Sequence, residues 1–304
     1  MGSISNKIGA KAAIDIGSNT ILLTVVDHEG KVLFDQPRIV SLGKGLGDSG
    51  VFLQDRMDAA EQALEVFLQI AASFDVQPQD IFVVATSAAR RATNARQWFH
   101  TLTEKYGIMP RIISGNKEAE LTWRGGISGI NVNAGTSMLI DLGGGSTEVI
   151  HGTSSRIASR LSLETGTVRL TETFNLDHAH VPPAQLQVTR TRLKELFSQV
   201  PVHDKPKQIV GVAGTVTTFA AMKLGLVCYD ANQVHGSTLT LAELENAVDQ
   251  FASLTPDARR KRCSISPQRA PYLLAGALIL TGLMRHTDHS ELIVSNRGLR
   301  FGLL

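Results

Sequence analysis

"MLIDLGGGSTEVIHG", residues 138–152, decides how the rest of the chain is read. A hydrophobic strand ends in Asp141 and runs straight into Gly143, Gly144 and Gly145, with Ser146 and Glu148 close behind. Glycine lets the backbone adopt positive φ and lets another group approach closely, so such a turn exposes several N–H donors in a small concavity. That concavity suits phosphate. The Ser146 hydroxyl adds a donor, and Asp141 at the strand end is placed to hold Mg²⁺, or its waters, against the same oxygens. Glu148 would lie on the strand leaving the turn, where it can bind Mg²⁺, position a water or form a cross-strand ion pair. A tight hairpin with an incidental acid would give the same pattern, and one glycine-rich segment alone does not separate the readings.

A matched segment shifts the balance. "AAIDIGSNTILLTVV", residues 12–26, aligns with the first at a constant offset that places Asp15 on Asp141, Gly17 on Gly143 and Thr20 on Ser146. Two related turns point to phosphate binding by Gly17, Ser18, Asn19 and Thr20 together with Gly143, Gly144, Gly145 and Ser146. Asp15, Asp141 and Glu148 become the candidate metal ligands. A third glycine turn, Gly211 to Thr215, lies between an apolar strand and a helical run, so Gly214 and Thr215 either hold another anion at a helix N-terminus or mark a close packing point.

Composition sets the frame. With 304 residues, 43% hydrophobic and 19% charged, the chain is a soluble globular protein large enough for about two domains. A net charge of +2 gives no global field to attract nucleic acid or membrane, so neither is expected as a partner. Two cysteines, Cys228 and Cys263, argue for a reducing compartment, and the cytoplasm is the expected location. The longest apolar stretch, "YLLAGALILTGLM" at 272–284, is too short to span a bilayer and reads as a buried helix.

Along the chain, a "HEGK" turn at 28–31 predicts an antiparallel opening, and apolar residues from Leu53 to Phe74 recur at helical steps. A short strand at 80–86, helical sequence over 87–106 and a strand at 111–113 follow. The glycine- and asparagine-rich stretch at 124–135 reads as an inter-domain connection, after which the pattern restarts. Helices are expected at 182–200, 241–254 and 269–285, and strands at 209–212 and 291–295. The fold class is α/β in two similar domains, 1–129 and 130–304, facing across a cleft, with the last helix allowed to pack back on the first domain.

At these residues the sequence resembles the exopolyphosphatase/guanosine pentaphosphate phosphatase (Ppx/GppA) family. The resemblance rests on "DIGSNT" (15–20), "ATSAAR" (85–90), "SGNKEAE" (114–120), "DLGGGSTE" (141–148), "GVAGTVTT" (211–218), "VHGSTLT" (234–240) and "VSNRGLR" (294–300), in order along nearly the whole chain. It implies two actin-like ATPase (ribonuclease H-like) domains, with mixed sheets flanked by helices and the active site in the inter-domain cleft. It also implies Mg²⁺- or Mn²⁺-dependent hydrolysis of a terminal phosphoanhydride, on inorganic polyphosphate or on pppGpp, and a homodimer by resemblance only.

The same resemblance makes Glu118 the catalytic base. Water is a poor nucleophile, and a carboxylate can orient and deprotonate it while the loops and the metal absorb phosphoryl charge. Arg90 follows a buried strand, where a planar guanidinium can grip phosphate oxygens. A sensor that binds without turnover, or a kinase of the same superfamily, are the readings from other classes.

Three positions depart from the family pattern. Lys44 stands in "LGKGL" (42–46) where members commonly carry an acid, and adds a basic contact for a polyanion. Arg269-Ala270-Pro271 replaces "RAD", and "GLRFG" with Phe301 replaces "GLREG". The short two-domain form, Lys44 and the basic run Arg259, Arg260, Lys261 and Arg262 mildly favour polyphosphate, although that run reads first as a solvated face. His178, His180, His286 and His289 read as surface residues near turns.

Overall fold

A computed structural model describes residues 9–132, 135–202, 205–263 and 266–304. Backbone packing divides the chain into two units, Met1–Gly125 with Leu299–Leu304, and Gly126–Gly298.

The first unit opens with three antiparallel strands, β1 (Lys11–Ile16), β2 (Thr20–Val26) and β3 (Val32–Ile39). Parallel strands β4 (Ile81–Ala85) and β5 (Arg111–Ile112) complete a sheet of order β3-β2-β1-β4-β5. Asp27 closes the β2–β3 turn through its own side chain, which accepts the amides of Glu29 and Lys31 at 2.9 Å each. Alternation sends Ile14, Ile16, Leu23, Val25 and Val83 to one face, where the Gln54–Ala72 helix buries Ala60, Ala63, Leu64, Phe67 and Ala71. The helical sequence over 87–106 is two helices, Ser87–Arg91 and Ala95–Tyr106. Asn94 stands in the break because its side chain bonds the Phe52 backbone at both N and O.

The second unit repeats the plan. Strands β6 (Ser137–Leu142), β7 (Thr147–Gly152) and β8 (Ile157–Leu163) form the antiparallel opening, followed by β9 (Gln208–Val212), β10 (Thr238–Thr240) and β11 (Glu291–Val294). The order is β10-β11-β9-β6-β7-β8, so β8-β7-β6-β9-β11 matches the five strands of the first unit and β10 adds an antiparallel edge. Its core is built on the apolar Leu273–His286 helix, buried on nearly every side. The result is the expected pair of α/β units with mixed sheets flanked by helices.

The boundary between the units falls inside the expected connection at 124–135, whose first part is helical. The Gly115–Ile127 helix runs through Arg124, Gly125 and Gly126, and the unit boundary falls inside its last turn. A Cβ at Gly126 would collide with the Leu139 side chain, so this glycine serves close helix-to-sheet packing. Residues 133 and 134 of that stretch lie outside the described residues.

The basic run is corrected in part. Arg259 is fully buried, with its guanidinium donating to the carbonyls of Phe251 (2.8 Å), Leu176 (2.5 Å) and His178 (3.0 Å), which makes it a core cross-link of the second unit. Arg260, Lys261 and Arg262 are exposed. His286 and His289 are likewise half-buried, bonded to the carbonyls of Val200 (3.0 Å) and Pro206 (2.7 Å). Among the described residues no helix is long and apolar enough to cross a membrane.

Candidate active site

In the first unit, Asp15 is the penultimate residue of β1, paired with Leu22 on β2 and Val84 on β4. The chain then turns through Gly17, Ser18 and Asn19, closed by a Gly17 N–H bond to the Thr20 carbonyl at 3.0 Å. A Cβ at Gly17 would sit 3.0 Å from that carbonyl, tighter than most side-chain contacts, so the turn would have to shift to admit one. The loop carbonyls are tied back: Ser18 O accepts from Gly43 N at 2.7 Å, and Asn19 O from Val40 N and Ser41 N at 2.9 Å. Among the described residues, none accepts the amides of Ser18 and Asn19. Carbonyls bound inward and amides left over make an anion nest. The "LGKGL" segment holds it, with exposed Lys44 directly after Gly43.

The second unit builds the same device. Asp141 pairs with Glu148 on β7 and Val212 on β9, and Gly143 N donates to Ser146 O at 3.1 Å. Here the first turn of the Thr167–Thr173 helix ties the carbonyls back: Thr167 N donates to Gly143 O at 3.0 Å, and Val168 N and Arg169 N to Gly144 O at 2.9 and 3.1 Å. Among the described residues, no acceptor takes the amides of Gly144, Gly145 or Ser146. Gly166 makes this close approach feasible, since a Cβ there would lie 2.5 Å from the Gly144 carbonyl. Sequence reasoning missed Gly166; the available signal was its place in "ETGTV", just before a helix start.

Glu148 is held by hydroxyls: Ser146 Oγ donates to its Oε1 at 2.7 Å and Ser162 Oγ, from β8, at 3.0 Å. Ser146 thus orients a carboxylate, a role the sequence reading did not assign to it. A groove of about 540 Å³ in this unit, floored by Leu170, Phe174 and Leu196, is lined by none of the glycine-turn residues.

Glu118 lies in the first turn of the Gly115–Ile127 helix, which follows β5 and is started by Ser114 Oγ accepting the Lys117 amide at 3.2 Å. Arg90 donates to Glu118 Oε2 at 2.7 Å and to the Ile113 carbonyl at 2.9 Å. The guanidinium therefore orients the carboxylate, and Oε1 accepts no hydrogen bond among the described residues. Arg90 and Glu118, predicted separately as phosphate ligand and base, form one unit.

Gly214 and Thr215 open the Gly214–Lys223 helix after Ala213, whose φ is +78°. Arg269 crowds this turn, donating to Gly214 O at 2.6 Å and leaving no room for a Cβ there. The Thr215 side chain is buried against Gly276. Only the backbone of this third turn remains a candidate anion contact.

Each unit carries acids that are candidate ligands for a hard divalent cation. Asp15 Oδ1 is buried without a hydrogen-bond partner. Burial, opposed by Arg300 and reinforced by Glu118, raises the Asp15 pKa to about 7. Asp141 and Glu148 stand directly opposite on paired strands, an arrangement of like charges that a cation relieves. Among the described residues, no three His, Cys, Asp or Glu side chains gather closely enough to cage a metal ion. Mg²⁺ commonly takes only one or two carboxylates and fills its shell with water and phosphate oxygens, so an open set is compatible with it.

Two nests of one design, each beside a strand-end acid, and an oriented carboxylate in the first unit define a class of enzymes that act on phosphoryl groups. Residues 21–304 match the Ppx/GppA phosphatase family, and the chain belongs to that family, whose members are phosphoanhydride hydrolases. It is 31% identical over 293 residues to Exopolyphosphatase 2 of Mycobacterium tuberculosis, covering 90% of this chain and 89% of that one. The crystal structure of the Aquifex aeolicus family member superposes with a TM-score of 0.84 at 30% identity, covering 97% and 96% of the two chains. An exopolyphosphatase from Cytophaga hutchinsonii gives 0.83 at 25% identity, covering 96% of each.

Proposed function

We propose that this chain is an exopolyphosphatase that releases orthophosphate from the end of inorganic polyphosphate. The observation that carries the reading is the Arg90-held carboxylate of Glu118, with Oε1 left to accept a proton, in a chain that also carries two amide nests. The relative named as an exopolyphosphatase supports it.

In the proposed reaction the nests bind phosphoryl oxygens of the chain. Gly17, Ser18, Asn19 and Thr20 act from the first unit, and Gly143, Gly144, Gly145 and Ser146 from the second. Glu118 orients a water and takes its proton at Oε1 as the oxygen attacks the terminal phosphorus. The phosphoanhydride P–O bond breaks, and the shortened chain leaves with the bridging oxygen and its negative charge. Backbone amides that point at the phosphoryl oxygens before reaction need no reorganisation as charge shifts. When bound, Mg²⁺ held by Asp15, or by Asp141 and Glu148, would supply positive charge against those oxygens. Arg90 has guanidinium N–H groups beyond the one given to Glu118, available to a phosphate.

Phosphate release from long-chain polyphosphate and from pppGpp, each with Mg²⁺, Mn²⁺ or EDTA, tests the reading. Metal-dependent release is expected, faster from polyphosphate; faster release from pppGpp would make the protein a pppGpp 5′-phosphohydrolase. The Glu118→Gln variant should bind polyphosphate as the parent does and lose kcat by about 10²–10⁴. Binding without turnover in the parent would identify a sensor.

A further inference from the structure

Arg300 lies outside both nests, yet its helix touches β1, β2 and the Gly115–Ile127 helix, each of which carries a proposed site residue. The Leu299–Leu303 helix packs on the sheet face opposite the main core, against β1 and β2. Arg300 forks onto Asp35 of β3, Nε to Oδ1 and Nη2 to Oδ2 at 2.8 Å each, and donates to Thr24 Oγ1 of β2 at 2.5 Å. Thr24 donates to the same Asp35 at 2.7 Å, and Arg300 and Asp35 are each only 12% exposed. This pair is a fixed peg rather than a loose surface bridge.

The helix so pegged supplies Leu299 and Leu303 to a small apolar cluster with Val84, Leu121 and Ile113. Val84 is the strand neighbour of Asp15, Leu121 lies one turn beyond Glu118, and the Ile113 carbonyl holds Arg90. Gly302 is seated so closely on the Leu121 carbonyl that a Cβ would overlap it.

We infer that Arg300 is a positioning residue for hydrolysis: by pegging the Leu299–Leu303 helix to Asp35, it sets the Gly115–Ile127 helix, and with it Glu118 and Arg90, relative to Asp15. The inference rests on the exopolyphosphatase reading for its activity readout alone. A displacement of about 1 Å at a reacting group costs on the order of 10²-fold in rate. The amount of substrate bound need not change.

The experiment compares the full-length parent with Arg300→Met, Asp35→Asn and the double variant, all confirmed folded by thermal melting. Expected for each single variant is a fall in kcat of about 10²-fold, with KM for polyphosphate within about twofold of the parent. The double variant should be no worse than either single, because one device is broken twice. Lysine lacks the planar fork, so Arg300→Lys should stay near Arg300→Met.

Hydrogen exchange gives a readout independent of turnover: amides 118–122 should exchange faster in Arg300→Met and in Asp35→Asn, while those of Leu241–Ser253 in the second unit stay unchanged. A folded Arg300→Met or Asp35→Asn enzyme with parental kcat, or unchanged exchange over 118–122, overturns the inference. Should Arg300→Met fail to fold, the milder Asp35→Asn decides by the same two readouts. A parent without any phosphoanhydride hydrolysis would sink the functional reading, while the exchange result would still decide the positioning.

Discussion

The hairpin at residues 11–26 and the hairpin at 137–152 share a backbone and differ in chemistry. Asp15 and Asp141 hold the same station, the glycine that follows each donates to a carbonyl three residues on, and each acid neighbours a valine on the next parallel strand. Across the hairpin, however, Asp15 faces Leu22 while Asp141 faces Glu148. The first unit's hairpin thus has a single acid raised toward neutrality by burial, and the second a carboxylate pair in which Glu148 is held by serine hydroxyls. Phosphate contact through amides is common to both hairpins, whereas paired carboxylates belong to one. The scaffold was kept and the side chains were specialised.

The largest test of that difference gives the second hairpin the residue of the first. Glu148→Leu should lower phosphate release by about 10²–10³, roughly 3–4 kcal/mol of barrier, in steady-state kinetics with Mg²⁺ titration. The melting temperature should hold or rise, since an opposed like charge is removed. Kinetics near the parent's would mean that Glu148 serves only the strand pair.

Next in size are the two ways of tying loop carbonyls. Gly166→Ala forces a Cβ into the Gly144 backbone and should cost about 3 kcal/mol in urea unfolding, by overpacking. Gly43→Ala meets Ser18 at 3.2–3.3 Å, where neighbours can yield, and should cost about 1 kcal/mol. Equal costs would show that the two loops are equally deformable.

The strand-end acid makes a smaller, pH-dependent difference. Because the folded pKa of Asp15 is about 7, above the ordinary 3.8, its burial destabilises the parent as pH rises through that window. Asp15→Asn, measured in EDTA, should therefore stabilise the fold by about 1–2 kcal/mol above pH 7, a value discounted for the residue's partial exposure, and the gain should vanish below about pH 4. A gain independent of pH would refute the burial argument. Smallest is Lys44→Glu, expected to raise KM for polyphosphate several-fold at low salt and to change little at high salt, where exposed charges are screened.

Much of this was legible in the sequence because glycine leaves a local signature: both turns, their flanking acids and the repeat between them are written in contiguous residues. Glu118 was legible only through its motif, since an isolated helix-start glutamate has no distinguishing pattern. The Arg90 contact with Glu118 was not legible, because it joins residues on separate elements. Arg259 was misread for a related reason. Four consecutive basic residues look like a solvated face, and only the fold shows three carbonyls converging on one of them. Gly126 was read only as part of an inter-domain connection, and its role as a contact point depends on what lies against it.

The first unit is discontinuous, and that has a consequence for biosynthesis. Its five strands emerge early, but the short helix that covers their second face comes only after the whole of Gly126–Gly298 has been translated. Until then Thr24 and Asp35 lack their guanidinium partner, and Val84 lacks two of its apolar neighbours, Leu299 and Leu303. The earlier-made unit therefore cannot finish folding before the later one has been synthesised, a departure from simple N-to-C order.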